Sequence, residues 1–262
     1  METKPTYEYD RIADRKRVDF IARVLKDQLT PQARILDVGC GNGVISRHLG
    51  RLGYNVLGID VSEKTIEQAK TLTTLPNVRF EKLSAEELVA SGVKYDAVIC
   101  SEVLEHLSNP GSLLDVLYQS LAENGKLIVT VPNGHGPRET FVTKPVLKMR
   151  SQNNWMWRLI VKLKKSMGYS GTTVQSAADN LDHIQFFSRK DLEQLSREHG
   201  FRITGFGKAN FVEDVFPFSF FAKRLVFLQK IDCKIADVLP YQFTGGFFSV
   251  WEKNGRSKTA HS

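Results

Sequence analysis

Two carboxylates and an imidazole follow one apolar stretch of the chain: Glu102, Glu105 and His106 come directly after residues 95–101. On a helix, spacings of three and four residues put these side chains on one face. An imidazole placed there can act as a general base near neutral pH, and the carboxylates can join it as ligands of a divalent cation. A third interpretation needs no catalysis: Glu102 lines a ligand pocket, Glu105 is solvated and His106 is hydrogen-bonded.

A glycine-rich loop earlier in the chain indicates the ligand that these groups would meet. Gly39, Gly41 and Gly43 alternate after the apolar run 34–38. Glycine lets the backbone approach a ligand closely and adopt positive φ. A helical stretch and a second apolar run follow, and that run ends at Asp60, whose carboxylate can accept hydrogen bonds from both ribose hydroxyls. This order predicts half of a mononucleotide-binding βαβ unit for an adenosine derivative.

The spacing of the loop distinguishes two classes of adenosine ligand. A dinucleotide-binding loop would place glycine or alanine where this chain has Val44. Asp37, two residues before Gly39, would repel a pyrophosphate but suits the ammonium group of a methionine moiety. Cys40, inside the loop, is interpreted as a small residue that fits there. The loop therefore favours S-adenosylmethionine over a dinucleotide.

With these residues in place, the loop resembles motif I of the class I S-adenosylmethionine-dependent methyltransferases, and Asp60 matches the acid that binds ribose in that family. Later stretches follow in the family's order: 78–86 resembles the third strand and its adenine-contacting turn, 95–101 the fourth strand and 125–133 the fifth. The resemblance implies S-adenosylmethionine as the cofactor, bound by Asp37, Gly39, Cys40, Gly41, Gly43, Asp60, Val61, Ser84, Ala85, Ser101 and Glu102.

The same resemblance implies an α/β fold of the Rossmann-like class I methyltransferase type, with a mostly parallel seven-stranded sheet, an antiparallel last strand and helices on both faces. Apolar periodicity predicts helices at 8–29, 43–52, 63–71, 112–122 and 189–198. We expect a single domain over 1–262. Its first half contains an N-terminal helix over the cofactor (1–33) and a cofactor-binding core (34–133). A basic amphipathic insertion (134–182), the C-terminal half of the sheet (183–254) with a Phe-rich insertion (210–246), and a polar tail (255–262) follow.

The Glu-x-x-Glu-His stretch carries a second resemblance. It is similar to that of the ubiquinone-pathway O-methyltransferases and of the small-RNA 3′-terminal 2′-O-methyltransferases, and in the RNA enzymes these residues hold a divalent ion. His183 matches a downstream histidine of both families. The resemblance makes Glu102, Glu105, His106 and His183 candidate ligands of a divalent cation, which would lower the pKa of a coordinated hydroxyl and orient it. Without a metal, His106 and Glu105 are the candidate catalytic residues, with His106 as the general base.

Basic charge is concentrated in one segment. The chain has a formal net charge of +7, and residues 140–178 contain seven Lys and Arg but no Asp or Glu. Within 144–167, Trp and apolar residues gather on one side of a predicted helix and basic residues on another, a pattern typical of helices at anionic membrane surfaces. Two alternatives stay open: the helix packs on the body with a solvated basic face, or its basic and aromatic residues bind RNA.

These features support three hypotheses for function. The first is O-methylation of a small amphipathic or lipid-linked acceptor at a membrane surface, with quinone precursors and lipid-carried sugars as candidates. The second is metal-dependent 2′-O-methylation of an RNA 3′ end, with nucleic acid the less favoured partner. The third is a protein that binds S-adenosylmethionine without turnover. The oligomeric state is not predicted.

Composition indicates the cytoplasm. Three cysteines lack metal-ligand spacing, no apolar run reaches the roughly 18 residues that span a bilayer, and the N-terminus lacks the apolar core of a signal peptide. We therefore expect a cytoplasmic protein, with a peripheral position at the inner face of the membrane as the extension of the first hypothesis.

Overall fold

A sheet of seven strands forms the centre of the molecule. The computed structural model describes residues 7–144, 184–215, 218–222 and 224–254. The strands are β1 (Arg34–Val38), β2 (Asn55–Asp60), β3 (Val78–Lys82), β4 (Tyr95–Ser101), β5 (Leu121–Pro132), β6 (Phe201–Lys208) and β7 (Gly246–Lys253). Their order is β3-β2-β1-β4-β5-β7-β6. The pairs among β1 to β5 are parallel, and β7 is antiparallel to β5 and β6. This confirms the predicted sheet.

Helices flank the sheet. They are α1 (Ile12–Gln28), α2 (Val44–Arg51), α3 (Glu63–Thr71), α4 (Ala85–Ala90), α5 (Pro110–Ser120), α6 (Arg189–Glu198), α7 (Phe218–Ala222) and α8 (Val226–Val238). Within the described ranges, three short turns accompany them: 3-10 turns at Leu104–His106 and Tyr241–Phe243, and a π-helical turn at Glu139–Thr143.

The core has two layers because the side chains of the central strands alternate between the two faces of the sheet. Ile99 of β4 lies in one cluster of buried apolar residues, together with Leu49 of α2. Its neighbour Cys100 lies in a second cluster, together with Leu114 of α5. A strand covered on both faces reads as a continuous apolar run, which explains the sequence of β4. The predicted helices on both faces are thereby confirmed.

Capping residues set the boundaries of several helices. Ser62 accepts a hydrogen bond from the Thr65 amide and begins α3 at the predicted position. Ser188 and Asp191 form a reciprocal capping box at the start of α6. Two other predicted helices have different bounds in the structure. The helix predicted at 8–29 covers Ile12–Gln28, and the one predicted at 112–122 covers Pro110–Ser120. In α5, Asn109 caps the helix and proline fits its first turn, so the helix begins two residues earlier than expected.

Helix α8 was not predicted. It lies in the Phe-rich insertion 210–246 and packs against α1, where Gln229 Oε1 accepts a hydrogen bond from the Ile12 amide at 2.9 Å. Lys16 Nζ donates to the Cys233 carbonyl at 3.1 Å. Polar groups therefore fix this helix to the body, and apolar periodicity alone does not reveal that arrangement.

Several expectations concern residues that the structure does not describe. The amphipathic helix expected within 144–167 lies outside the described residues from 145 onward, as do His183 and the tail 255–262. Across the described ranges, no helix combines the length and the apolar character needed to cross a bilayer.

Candidate functional site

The predicted site residues converge at one edge of the sheet. β1 leads into Gly39, β2 ends at Asp60 and β4 ends at Ser101. β1 lies between β2 and β4 and is parallel to both, so the three strand ends lie side by side. Open α/β sheets bind ligands in the crevice outside this carboxyl-terminal edge.

The glycine loop adopts a conformation that requires glycine. Gly39, Gly41 and Gly43 have φ values of 66°, 55° and 81°, in the left-handed region that side chains disfavour. A Cβ atom on Gly39 would lie 2.5 Å from Cγ2 of Val103, and one on Gly43 would lie 2.4 Å from Cζ of Phe80. Neighbouring side chains thus occupy the space that a Cβ would need, and the loop holds its backbone close to the strand ends.

Asp60 is joined to this loop through its carboxylate. Oδ2 accepts a hydrogen bond from the Gly41 amide at 3.0 Å, and Oδ1 accepts one from the Ser62 amide at 2.8 Å. A carboxylate offers about four acceptor positions, so two remain for a ligand. The side chain is half-buried, which leaves it accessible for the predicted contacts with ribose hydroxyls.

Asp37 lies beneath the loop. Its side chain is 1% exposed, and Ser46 Oγ donates a hydrogen bond to its Oδ2 at 2.5 Å. Burial raises the pKa of Asp37 to about 7, the charge of Asp60 adds to this rise, and the bond from Ser46 opposes it. A cation placed above the loop would favour the ionised form. The predicted contact of Asp37 with an ammonium group stays a prediction.

The remaining residues predicted to bind the cofactor are near the same edge. Val61 follows Asp60, and the residue is 73% exposed. The Leu83 amide donates to the Asp60 carbonyl at 3.2 Å, so the turn after β3 reaches the end of β2. Ser84 forms a capping box with Glu87 at the start of α4, which begins at Ala85, and Cys40 is half-buried in the glycine loop. The contacts of these residues with an adenine stay predictions.

Glu102 does not begin a helix, contrary to the expectation for Glu102, Glu105 and His106. Its φ is 59°, an uncommon value for a residue with a side chain, and the following helical turn covers only Leu104–His106. The three side chains therefore do not share one helix face. Hydrogen bonds within the fold explain the turn: the Glu102 amide donates to the Thr130 carbonyl at 2.9 Å, and Thr130 Oγ1 donates to Glu102 Oε1 at 3.0 Å.

Ser101 belongs to the same hydrogen-bonded group. Its Oγ lies 2.8 Å from Thr130 Oγ1, and both hydroxyls are buried. Ser101, Glu102 and Thr130 thus link the ends of β4 and β5. Sequence analysis did not identify Thr130, because one hydroxyl side chain within an apolar run forms no recognisable motif with its neighbours.

Glu105 is buried, so the interpretation of Glu105 as a solvated carboxylate is wrong. Its residue exposure is 1%, and among the described residues neither carboxylate oxygen has a hydrogen-bond partner. Burial raises the pKa of Glu105 well above its ordinary value of 4.5, and the charge of Glu102 adds to the rise. Glu105 Oε1 lies 3.8 Å from Nε2 of His106.

Residues 184 and 185 lie next to this turn. The amides of Ile184 and Gln185 donate to the backbone carbonyl of Glu105 at 2.8 and 2.9 Å. Within the ranges that the structure covers, no group of three or more His, Cys, Asp or Glu residues is arranged to hold a metal ion. The predicted set of Glu102, Glu105, His106 and His183 includes one residue outside these ranges and stays a prediction.

Arg17 is a site residue that sequence reasoning missed. The Arg17 side chain is 7% exposed, and its Nη1 lies 3.3 Å from Glu102 Oε1, while Nη2 lies 3.1 Å from Asp14 Oδ1. Position 17 is four residues before Ile21 and eight before Leu25, on the apolar face of α1. An arginine on the apolar face of a predicted helix is the sequence feature by which Arg17 could have been identified.

A fold with this strand order, this loop and this strand-end acid defines a nucleoside-binding methyltransferase architecture. The family model described as "Methyltransferase domain" matches residues 9–205. The chain therefore belongs to the class I S-adenosylmethionine-dependent methyltransferases.

Among curated relatives, a ubiquinone biosynthesis O-methyltransferase from Caulobacter sp. (strain K31) is 38% identical over 103 residues, which are 38% of this chain and 41% of that protein. A protein of the same name from Hahella chejuensis is 30% identical over 167 residues, covering 62% of this chain and 67% of that one. The chain thus matches less than half of the first relative's length and about two thirds of the second's.

Solved structures share the fold. The 1,6-didemethyltoxoflavin-N1-methyltransferase of Burkholderia thailandensis, solved with 1,6-didemethyltoxoflavin and S-adenosylhomocysteine bound, superposes with a TM-score of 0.56. It is 16% identical, and the match covers 94% of this chain and 80% of that one.

Proposed function

We propose that this protein transfers the methyl group of S-adenosylmethionine to an oxygen atom of a small amphipathic acceptor. The observation that carries the proposal is the position of Glu105 and His106, on a turn that follows β4 and contacts the glycine loop through Val103. The curated relatives that the chain matches are named O-methyltransferases, which supports oxygen as the acceptor atom.

The residues of the chain then have two tasks. The sulfonium of the bound cofactor supplies an electrophilic methyl group, so the protein must align an acceptor and accept one proton. Asp60 would bind the ribose through its two remaining acceptor positions, and Asp37 would balance the ammonium group. Val61 would offer an apolar contact to the adenine.

His106 would act as the general base. As His106 takes the acceptor's proton it becomes cationic, and this proton can pass to solvent because the side chain is partly exposed. Glu105, whose Oε1 lies 3.8 Å from His106 Nε2, would orient the imidazole. Glu102, held by Arg17 and Thr130, would position this turn.

The proposed acceptor is amphipathic or lipid-linked and is met at a membrane surface through the basic segment 144–167. Apolar side chains on either side of the undescribed segment support an apolar acceptor: Phe141 is 71% exposed and Ile184 is 57% exposed. The cationic Lys144 lies over the ring of Phe186, with Nζ 5.7 Å from the ring centroid. A location at the cytoplasmic face of the membrane belongs to this proposal.

A metal-dependent RNA 2′-O-methyltransferase is the second candidate. The two oxygens of Glu105, buried without a described hydrogen-bond partner, suit a cation, and Glu102, His106 and His183 would complete its ligands. The cation would lower the pKa of a ribose hydroxyl.

A protein that holds the cofactor without turnover is the third candidate, and it requires only Asp60 and the glycine loop.

One experiment distinguishes these candidates. Purified protein is incubated with methyl-labelled S-adenosylmethionine and separate lipid, glycan and RNA extracts, each with and without EDTA. Label in a lipid-soluble product that forms equally in EDTA supports the first proposal. Label at an RNA 3′ end that EDTA abolishes supports the second, and cofactor binding without label in any extract supports the third.

A further inference from the structure

Helix α8 has an inverted distribution of polar and apolar residues. The side facing the body carries Gln229, Asp232, Cys233 and the small Ala236, all buried. Asp232 accepts hydrogen bonds from the Phe211 and Val212 amides at 2.8 and 2.9 Å. The apolar side of an amphipathic helix normally faces the core, but here hydrogen bonds fix the polar side instead.

The outward side of α8 is apolar. Phe227, Ile231, Ile235 and Val238 follow one another at spacings of four, four and three residues, so they form one stripe along the helix. Their exposed fractions are 57%, 48%, 40% and 82%. Phe221 and Leu225, in the segment before the helix, are also exposed. An exposed apolar stripe of this kind marks an interaction site.

Positive charge runs beside the stripe. Lys230 and Lys234 are exposed and lie one helical turn apart on its flank. Arg224, just before the helix, is also exposed. The exposed acid of α8, Asp237, is already paired, with its Oδ1 2.7 Å from Nζ of Lys16. The partner of this surface should therefore be apolar and anionic.

We propose that the stripe of Phe227, Ile231, Ile235 and Val238, flanked by Lys230 and Lys234, binds the surface of an anionic lipid bilayer. A helix with an apolar stripe and lysines lies in the interface of such a bilayer, where each lysine near the surface adds attraction to anionic headgroups. This inference does not rest on methyl transfer, and it involves a segment other than 144–167.

A second copy of the chain fits this surface less well. In a two-fold dimer the same surface meets itself, so the lysines of one copy would approach those of the other with no unpaired acid of α8 to balance them. Like charges placed together oppose association. An anionic bilayer has no such conflict.

The test compares the full chain with three variants by sedimentation on vesicles of an equal mixture of phosphatidylglycerol and phosphatidylcholine. The stripe variant is Phe227→Ser/Ile231→Ser/Ile235→Ser. Leu72→Ser is the matched control, because Leu72 is 56% exposed at the end of α3. The third variant, Lys162→Glu/Lys165→Glu, changes the basic segment 144–167. Calorimetry with S-adenosylhomocysteine verifies that each variant is folded.

We expect the stripe variant to bind vesicles roughly tenfold more weakly or worse, because apolar burial drives insertion, and to bind S-adenosylhomocysteine like the wild type. Leu72→Ser should match the wild type in both assays. Neutral phosphatidylcholine vesicles should bind the wild type more weakly than the anionic mixture.

Two results would overturn the inference. One is a stripe variant that binds anionic vesicles as well as the wild type, whether or not Lys162→Glu/Lys165→Glu has lost binding. The other is a stripe variant that changes only the oligomeric state in analytical ultracentrifugation. Loss of cofactor binding in Asp60→Ala with vesicle binding intact would leave the inference standing, so the two proposals fail separately.

Discussion

Val103 packs against Gly39 so closely that a Cβ atom on the glycine would lie 2.5 Å from Cγ2 of the valine. Gly39 belongs to the loop after β1, and Val103 stands between Glu102 and the turn that carries Glu105 and His106. The loop proposed to bind the cofactor and the turn proposed to bear the base are therefore in direct contact. A change at either residue should affect both functions.

Gly39→Ala should destabilise the protein and weaken binding of S-adenosylhomocysteine, since the new methyl group meets Val103 at a positive φ. Gly53→Ala is the control: Gly53 has a φ of 94°, and a Cβ added there would have no other atom within 4 Å, so it should cost only the 1–2 kcal/mol or so of a left-handed side chain. Urea unfolding measures the free energy of unfolding of both variants. Adding Val103→Ala to Gly39→Ala should recover part of the loss, and a Gly39→Ala cost no greater than that of Gly53→Ala would refute the packing argument.

Binding of S-adenosylhomocysteine should tighten as the pH rises through about 7, the pKa of Asp37. Below that value the buried carboxyl is neutral, and above it the carboxylate can balance the ligand's ammonium group. We expect a roughly tenfold gain between about pH 6 and about pH 8, measured by calorimetry. Asp37→Asn should bind weakly with little pH dependence. A wild type whose affinity does not change over this range would contradict the assigned role of Asp37.

His106→Ala should lower kcat by roughly a hundredfold or more, the usual effect of losing a general base, with little change in affinity for S-adenosylhomocysteine. His199→Ala is the matched control, because His199 has similar exposure and pairs with Asp115 at 3.1 Å. The measurement is methyl transfer to the acceptor that the extract screen identifies. Wild-type kcat in His106→Ala would remove this histidine from the chemistry.

Glu105→Gln should change how stability depends on pH. The folded pKa of Glu105 lies above its ordinary value of 4.5, so the folded state holds this proton more tightly than the unfolded state does. The resulting contribution to stability is complete below about 4.5 and is lost as the pH rises through the folded pKa. Relative to the wild type, the glutamine variant should therefore gain unfolding free energy as the pH is raised. A constant difference across the pH series would mean that Glu105 is ionised in the folded protein.

Local patterns in the sequence predicted most helices and the glycine loop, and the family resemblance implied the arrangement of the sheet. The glycine loop and Asp60 depend on neighbouring residues in the chain, and they are visible in the sequence for that reason. The turn at Glu102 could not be predicted, because its positive φ accompanies bonds to Thr130, which is distant in sequence.

Helix α8 was missed for a different physical reason. Gln229 and Asp232 are buried and hydrogen-bonded to α1 and to residues 211–212. The large apolar residues Phe227, Ile231, Ile235 and Val238 are exposed. Apolar residues at helical spacing normally lie on the side of a helix that faces the core, but here they lie on the side that faces outward. The sequence pattern alone could therefore not predict how this helix packs. The burial of Glu105 likewise became visible only when the surrounding elements were assembled.

Calorimetric titration of S-adenosylhomocysteine into the wild type, Asp60→Ala and Asp96→Ala measures the contribution of Asp60 to cofactor binding. Asp96 also accepts a backbone hydrogen bond, from the Arg34 amide at 2.8 Å, but at the opposite end of the sheet. We predict that Asp60→Ala weakens binding by about 1–3 kcal/mol, the range for loss of a charged hydrogen-bond acceptor, while Asp96→Ala binds like the wild type. Equal affinity in the wild type and Asp60→Ala would contradict the ribose role of Asp60, and no binding of this nucleoside by the wild type would contradict the cofactor assignment.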